Sequence, residues 1–327
     1  MEEILPDLYN MKIPLPQNPL EFINCYVIKG KERSLIIDTG LNKSVCKDAL
    51  ADGLSKLGVD MDKLDIFITH FHEDHIGLVP FLATETVTIH FSKVEADIVA
   101  EYLAMGSDNP WWTQHSEFIR MRGFPEEELQ SVVDSHPDRG YDIKGPLNIR
   151  TLTDDDSIDI GSYSFKCIET PGHSPGHICL YEPESKVFVS GDHILGDITP
   201  IIALWSDEVN PLKFYLASLD KIEDLDVELV LPGHGSPFRN LKGRIEQLKE
   251  HHQVRADEVL EILQKGIQNA FQIASQMSWD VAESWDQFPS SQKWFAGGEA
   301  LAHIKYLEEE GKVQRHIQDG KIVFSLK

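Results

Sequence analysis

The chain has 327 residues, and at about 150 residues per domain that length predicts roughly two domains, long enough to bury a sizeable core. Apolar residues make up 41% and charged residues 26%, which excludes extensive disorder, collagen-like sequence and a disulfide scaffold. Fifty-four acidic residues against 30 Lys and Arg leave a formal charge of −24, and a surface of that sign repels nucleic-acid backbones and anionic membranes. Four cysteines at 25, 46, 167 and 179 form no Cys-x-x-Cys pair, and Cys25, Cys167 and Cys179 sit in apolar runs as buried thiols do. The opening Met-Glu-Glu-Ile-Leu-Pro has no basic n-region or apolar h-region. No apolar run reaches the roughly 18 residues of a membrane span. A cytoplasmic location is expected.

In chain order, Asn24 to Lys29 and Ser34 to Asp38 carry strand patterns around a turn at Gly30-Lys31-Glu32. Lys43 to Leu57 reads as a helix with Val45, Leu50, Leu54 and Leu57 apolar. Leu64 to Thr69 is a short apolar strand. Strands, helix and strand in that order predict a layered α/β fold with a mixed sheet. A helical excursion of about 92–145 follows, with helices over Glu95 to Met105, Trp112 to Met121 and Glu126 to Val133. Its aromatic residues either wall a cleft or pack on the sheet. Beta patterning resumes at Leu147, with hairpins at Ile158–Glu169 and His177–Ser190, a helix from Leu212 to Ile222 and a buried strand from Val227 to Leu231. The run Asp154-Asp155-Asp156 reads as a solvated turn.

Beyond Leu241 the pattern is helical over Arg244 to Lys265, Ile273 to Met277 and Glu299 to Glu309, with Gly311 as a stop. Val313 to Ile317 and Ile322 to Leu326 flank Asp319-Gly320, the preferred hairpin turn. Helices followed by a hairpin form a winged-helix-like pattern. The expected division is therefore 1–240 and 241–327.

The histidines carry the chemistry. His70, His72, Asp74 and His75 fall within six positions just after the Leu64 strand, and imidazole and carboxylate suit zinc and other borderline divalent metals. His70 and His72, two apart in an extended chain, point to one side, whereas the adjacent Asp74 and His75 cannot share that direction and suit a second metal. Pro171-Gly172-His173, Gly191-Asp192-His193 and Pro232-Gly233-His234 each place His or Asp in a turn after a strand, where a rigid sheet lets functional groups converge. Gly172-His173-Ser174-Pro175-Gly176 matches a serine-hydrolase elbow in form only, because Pro175 lacks the N–H that would serve an oxyanion.

His70-Phe71-His72-Glu73-Asp74-His75, followed by His173, Asp192 and His234, resembles the metallo-β-lactamase fold superfamily, closest to its glyoxalase-II-like branch, over about residues 1–240. The resemblance implies an αββα sandwich with a metal centre at one edge of two sheets. It implies that His70, His72 and His173 hold one metal and Asp74, His75 and His234 a second, with Asp192 bridging. His177, His193 and His90 match no ligand position. Leu301 to Phe324 resembles, more weakly, a winged-helix extension found in part of the superfamily.

Departures narrow the activity. Asp192 stands where the best-known β-lactamases place a Cys ligand, and His72 where flavodiiron proteins place Glu. Residues 241–327 carry 11 basic and 13 acidic residues, a poor nucleic-acid reader. The expectation is a dinuclear metal-dependent hydrolase, most simply a zinc enzyme with iron or manganese as other options. It would use a metal-bridging hydroxide on a small thioester, ester or lactone, with Asp74 as the proton-handling residue. Trp111, Trp112, His193 and Trp205 are expected at the substrate pocket. A phosphodiesterase or ribonuclease and a mononuclear-iron sulfur dioxygenase-like protein are the alternatives. The partner is a small molecule, with nucleic acid and membrane disfavoured, and the C-terminal segment is expected to pack either near the cleft or at a homodimer interface.

Overall fold

The computed structural model describes residues 1–105, 111–135, 147–281 and 283–327. The chain begins with β1 (Glu2–Leu5), β2 (Leu8–Pro14), β3 (Phe22–Lys29), β4 (Ser34–Ile37), α1 (Ser44–Leu57) and β5 (Leu64–Phe67). It continues through α2 (Glu73–Ile76), α3 (Val79–Leu82), β6 (Ile89–Ser92), α4 (Lys93–Met105), α5 (Trp111–Met121) and α6 (Glu126–Ser135). Then come β7 (Ile149–Leu152), β8 (Ser157–Ile160), β9 (Tyr163–Glu169), β10 (Ile178–Glu182), β11 (Val187–Gly191), α7 (Pro211–Ile222) and β12 (Leu229–Pro232). The chain ends with α8 (Leu241–Leu263), α9 (Ala270–Ala274), α10 (Ser290–Glu309), β13 (Val313–Gln318) and β14 (Lys321–Leu326). Among the described residues, 1–104, 147–200 and 218–245 form one compact unit, and 105, 111–135, 201–217, 246–281 and 283–327 a second.

The first unit is the αββα sandwich that the sequence led us to expect. Its larger sheet runs β1 to β7 in order, antiparallel as far as β4 and parallel from β4 to β7; the smaller runs β12-β11-β10-β9-β8. Strand alternation builds two cores. Val27, Ile36 and Ile66 face one way and meet Cys46, Leu50, Leu54 and Leu57 of α1. Tyr26, Ile28, Leu35, Ile37 and Phe67 face the other way and meet Phe165, Cys167, Leu180 and Val189 of the second sheet. A one-residue slip would exchange the two faces, so the register is fixed by burial. In α1, Val45 is exposed and Cys46 takes the buried place expected of it, which completes a helical spacing with Leu50, Leu54 and Leu57. All four cysteines are buried free thiols.

Direction matters more than count here. β4, β5 and β6 are parallel to one another, so their C-terminal ends share one edge. β9 and β11 are both antiparallel to β10 and β12 is parallel to β11, so β9, β11 and β12 also end together. The segments that follow these strand ends carry every histidine motif named above.

In the second unit, α10 is packed against α6 and α9, and it begins at Ser290 rather than at the expected Glu299. Gly297 and Gly298, which read as helix breakers, sit inside it; a Cβ on Gly298 would lie 2.7 Å from the Trp205 ring. Close packing thus offsets the poor helix propensity of glycine. β13 and β14 pair over Val313–Leu326, turning at Asp319 (φ 49°) and Gly320 (φ 74°). Two consecutive positive φ values are what a two-residue hairpin turn of this hand requires. Among the described residues no helix is long and apolar enough to cross a membrane.

Candidate metal centre

The sequence HFHEDH begins three residues past the end of β5, after Ile68 and Thr69. His70 and His72 lie on extended chain, and Glu73–Ile76 then coils into the single turn of α2, which rotates Asp74 and His75 away from His72. Within the first unit the structure brings together all seven side chains expected at the site. His70, His72 and His173 form one group, Asp74, His75 and His234 another, and His70, His75 and Asp192 a third that joins them; the ligand atoms within each group lie within 4.8 Å of one another. His72 Nδ1 is 2.9 Å from His70 Nε2 and 3.1 Å from His173 Nε2. Asp192 Oδ2 lies 3.5 Å from His75 Nε2, 3.5 Å from His234 Nε2 and 3.7 Å from His173 Nε2. Asp74 Oδ2 is 3.2 Å from His234 Nε2.

This arrangement is costly without a cation. His75 Nε2, His234 Nε2 and Asp192 Oδ1 are buried with no hydrogen-bond partner, and buried polar atoms in folded proteins are nearly always satisfied. Burial, and then the neighbouring His75, His72 and His173, push the His70 imidazole well below its ordinary pKa. Burial and His173 bring His72 down to about 3. Burial works against the proton on His75, but Asp38, Asp192 and Asp74 outweigh it and lift that group well above the ordinary value. For His234, burial is outweighed by Asp192 and Asp74, and the pKa rises to about 10. Burial alone would raise Asp74, yet His75 and His234 hold it at about 2; Asp192 is likewise held well down by His234 and His75 against its burial. A divalent ion would displace the protons that Asp192 and Asp74 favour on His75 and His234, and imidazoles beside ionised carboxylates are a donor set that fits such an ion.

The ring orientations are fixed from outside the motifs. Asp38 follows β4 at φ 58° and is fully buried. It accepts from the Thr69 backbone N–H (2.9 Å), the Thr69 hydroxyl (2.8 Å) and His75 Nδ1 (2.7 Å). With its Nδ1 proton committed there, His75 presents Nε2 to the site. His234 Nδ1 donates to the Phe22 carbonyl at 3.0 Å, with the same result. His177 Nε2 accepts the Asp192 backbone N–H at 3.2 Å while its Nδ1 is 3.0 Å from the Thr170 hydroxyl, so His177 holds Asp192 by its main chain. Asn24 Nδ2 donates to the carbonyls of Pro232 (3.0 Å) and Gly235 (2.8 Å), and the Tyr26 hydroxyl to Pro232 (2.8 Å).

Four expected pocket residues fare differently. His193 is fully buried beside Asp192, its ring centroid 5.9 Å from that of His177, and burial, then His173, brings its pKa to about 3. Trp205 belongs to the second unit, stacked on Trp294 at 5.1 Å. The side chains of Trp111 and Trp112 lie outside the described residues. Ser174, the centre of the elbow-like sequence, donates its hydroxyl to Glu95 and is 2% exposed, so it is tied up as a turn residue. Asp38, Asn24 and Glu95 were not singled out from sequence, and His177 was named there only as matching no ligand position. The only local signal was their polar character inside apolar strand or helix patterns.

The comparisons with known proteins agree with this geometry. A family model described as Metallo-beta-lactamase superfamily matches residues 18–234, and one described as Metallo-beta-lactamase-like, C-terminal domain matches residues 257–327. The Bacillus subtilis (strain 168) protein named "Probable metallo-hydrolase YqjP" is 24% identical over 324 residues, 97% of this chain and 97% of its own. The Bos taurus protein named "Acyl-coenzyme A thioesterase MBLAC2" is 29% identical over 228 residues, 66% of this chain and 74% of its own. A crystal structure of a metallo-beta-lactamase family protein from Thermus thermophilus matches with a TM-score of 0.81 at 29% identity, over 99% of this chain and 100% of that one.

Proposed function

The chain belongs to the metallo-beta-lactamase superfamily and is a metal-dependent hydrolase; within that class we propose a two-metal centre that cleaves a small thioester. The observation that carries this reading is the place of Asp192 Oδ2, 3.5 Å from His75 and His234 and 3.7 Å from His173, between the two groups of ligand atoms. His70, His72 and His173 would hold one ion, Asp74, His75 and His234 the other, and Asp192 both. Two divalent ions supply Lewis acidity, acidifying water towards a pKa of about 7 and withdrawing charge from a carbonyl oxygen. The chain's own residues do the rest. Asp38 and the Phe22 carbonyl fix the tautomers of His75 and His234. Asp74, ionised and with its side chain 20% exposed, would accept a hydrogen bond from the entering water and so orient it. His72, His173 and Asp74 are the least buried of the ligand side chains, so the substrate carbonyl approaches past them. The name of the Bos taurus relative supports the choice of thioester over plain ester or lactone, and zinc is the metal that this donor set suits best.

The test is metal stoichiometry on purified protein, together with hydrolysis of a panel of acyl-coenzyme A thioesters, lactones, aryl esters and phosphodiesters. Two metals per chain and a preference for thioesters are expected. Asp192→Asn, which keeps the shape and removes one charge, should lower hydrolysis by several orders of magnitude, with partial metal loss and an intact fold. His193→Ala, next door, should keep its metals and lose activity modestly. Full activity in Asp192→Asn, or metal loss only in His193→Ala, would overturn the assignment; one tightly bound iron per chain would return the protein to a redox reading.

A further inference from the structure

His177 is completely buried and stands immediately before β10. Its ring reaches the ends of both strands that flank β10 in the smaller sheet. Nδ1 is 3.0 Å from the hydroxyl of Thr170, which follows β9, and Nε2 is 3.2 Å from the backbone N–H of Asp192, which follows β11. These partners fix the tautomer. The Asp192 N–H can only donate, so Nε2 carries no proton, and the single proton of a neutral imidazole lies on Nδ1 and goes to Thr170. Thr170 can accept it because its own proton has another acceptor. Cys179 Sγ lies 3.2 Å from the hydroxyl, and the Cys179 thiol in turn donates to the Ser190 carbonyl at 3.5 Å. Gly191 leaves room for the ring: a Cβ there would lie 2.7 Å from His177 Nε2. The same ring stacks on that of His70, with centroids 5.2 Å apart.

We propose that His177 is a positioning residue whose Nδ1–H tautomer, set by Thr170, holds the main chain of Asp192 and thereby keeps that carboxylate between the two metals. The last step rests on the two-metal reading above; the hydrogen bonds and the tautomer do not. A short carboxylate that must reach two ions is placed only as well as the backbone that carries it. Groups that orient metal ligands from behind typically contribute about 10–100-fold in affinity. Asp38 and the Phe22 carbonyl orient ligand imidazoles directly, whereas His177 acts on the main chain of a ligand and Thr170 acts through His177. The tautomer therefore matters in a way that packing alone would not require. With its proton on Nε2, the ring would turn an N–H towards the Asp192 N–H, and the bond would be lost with the imidazole still in place.

The experiment compares wild type with His177→Leu, His177→Gln and Thr170→Val. The full chain, labelled with the heavy nitrogen isotope, is read by NMR with and without zinc, and zinc affinity is measured by chelator competition. Wild type should show a scalar coupling across the hydrogen bond from the Asp192 amide nitrogen to His177 Nε2, and ring nitrogen shifts of the Nδ1–H tautomer. His177→Leu should weaken zinc binding about 10–100-fold. His177→Gln offers a side-chain oxygen near the place of Nε2 and should recover most of that loss. Thr170→Val keeps the shape and removes the acceptor, so the His177 proton should move in part to Nε2, the coupling should shrink and zinc binding should weaken about tenfold. Thr170→Val and His177→Gln carry the test if His177→Leu does not fold. A wild-type ring protonated on Nε2, or one without coupling to Asp192, would overturn the hydrogen bond. Wild-type zinc affinity in Thr170→Val, or His177→Gln no better than His177→Leu, would overturn its effect on the metals and leave His177 as packing. A wild type that binds fewer than two zinc ions would instead defeat the two-metal reading, with the tautomer and coupling of the metal-free protein still deciding the hydrogen bond.

Discussion

At Gly233 a Cβ would lie 2.4 Å from Asp192 Oδ1 and 2.9 Å from His75 Cε1. The loop cannot retreat, because the Gly233 N–H donates to the Gly191 carbonyl and its own carbonyl accepts from the Asn24 N–H, both at 2.8 Å. Gly233→Ala should therefore displace Asp192 or His75 and weaken metal binding at least about tenfold, measured by chelator competition. Gly235, two residues on, is the control. It has φ 77° and no atom within 4 Å of an added Cβ, so Gly235→Ala should lower stability by roughly 1–2 kcal/mol through backbone strain alone and keep its metals. Equal metal loss in both variants would mean that loop strain rather than the carboxylate contact matters. His70, His72, Asp74 and His75 were legible as ligand candidates from their density at one strand end, whereas the choice of His173, Asp192 and His234 from the later turns came from the resemblance to the family. The roles of Asp38, Asn24 and His177 were not legible, because they are hydrogen bonds to groups elsewhere in the chain: Thr69 is 31 positions from Asp38, and Pro232 is 208 from Asn24.

Among the elements, β3 carries more than its apolar pattern. Asn24 is an inward-facing polar residue in a buried strand, and it joins the first sheet to the loop after β12 through Pro232 and Gly235. Asn10 of β2 donates to Asn24 Oδ1 at 3.0 Å, which orients the amide so that both Nδ2 protons face the loop. Asn24→Asp would present a carboxylate to two carbonyl oxygens in a dry interior. We expect at least about 2 kcal/mol of lost stability and weaker metal binding through His234, seen as a lower unfolding midpoint and as lower metal affinity in chelator competition. Tyr26→Phe removes one hydroxyl donor to Pro232, which keeps the Asn24 bond, and should cost about 1 kcal/mol with metal binding retained. If Asn24→Asp were as mild as Tyr26→Phe, the tether would be redundant. These elements also show where sequence patterning stops. β2 went unread because its buried Asn10, whose Nδ2 donates to Asn24, and its terminal Pro14 break the alternation. The start of α10 was missed because Gly297-Gly298 reads as an end, until Phe124 and Trp205 occupy the space the glycines leave. Where pattern and packing agreed, as in the Asp319-Gly320 hairpin, the boundaries came within a residue or two.

At the scale of the whole molecule the two units differ in a way that makes one of them separately observable. All six tryptophans fall in the second unit, so intrinsic fluorescence reports its unfolding and not that of the metal-bearing sandwich. That unit buries a histidine pair: His252 Nδ1 on α8 is 3.2 Å from His303 Nε2 on α10, and His303 Nδ1 donates to the Glu299 carbonyl at 2.9 Å. Burial, against the pull of the Glu299 carboxylate, brings His303 down to about 4. Burial, then His303, His251 and Arg255, pushes His252 well below its ordinary value. Both are therefore neutral in the folded unit at pH values where the unfolded chain, with histidines near 6.5, takes up protons. The unfolded state binds more protons below about pH 6.5, so stability is full above that pH and falls as pH drops towards 4, by about 1.4 kcal/mol per pH unit for each such histidine. Urea unfolding of the metal-free protein, followed by tryptophan fluorescence from about pH 4.5 to 7.5, should show this slope. The double variant His252→Leu/His303→Leu should flatten it by up to two protons, while the sandwich, followed by hydrogen exchange, keeps its own dependence. An unchanged slope in the variant would mean that the pair is already protonated when folded, with Glu299 rather than burial setting its charge.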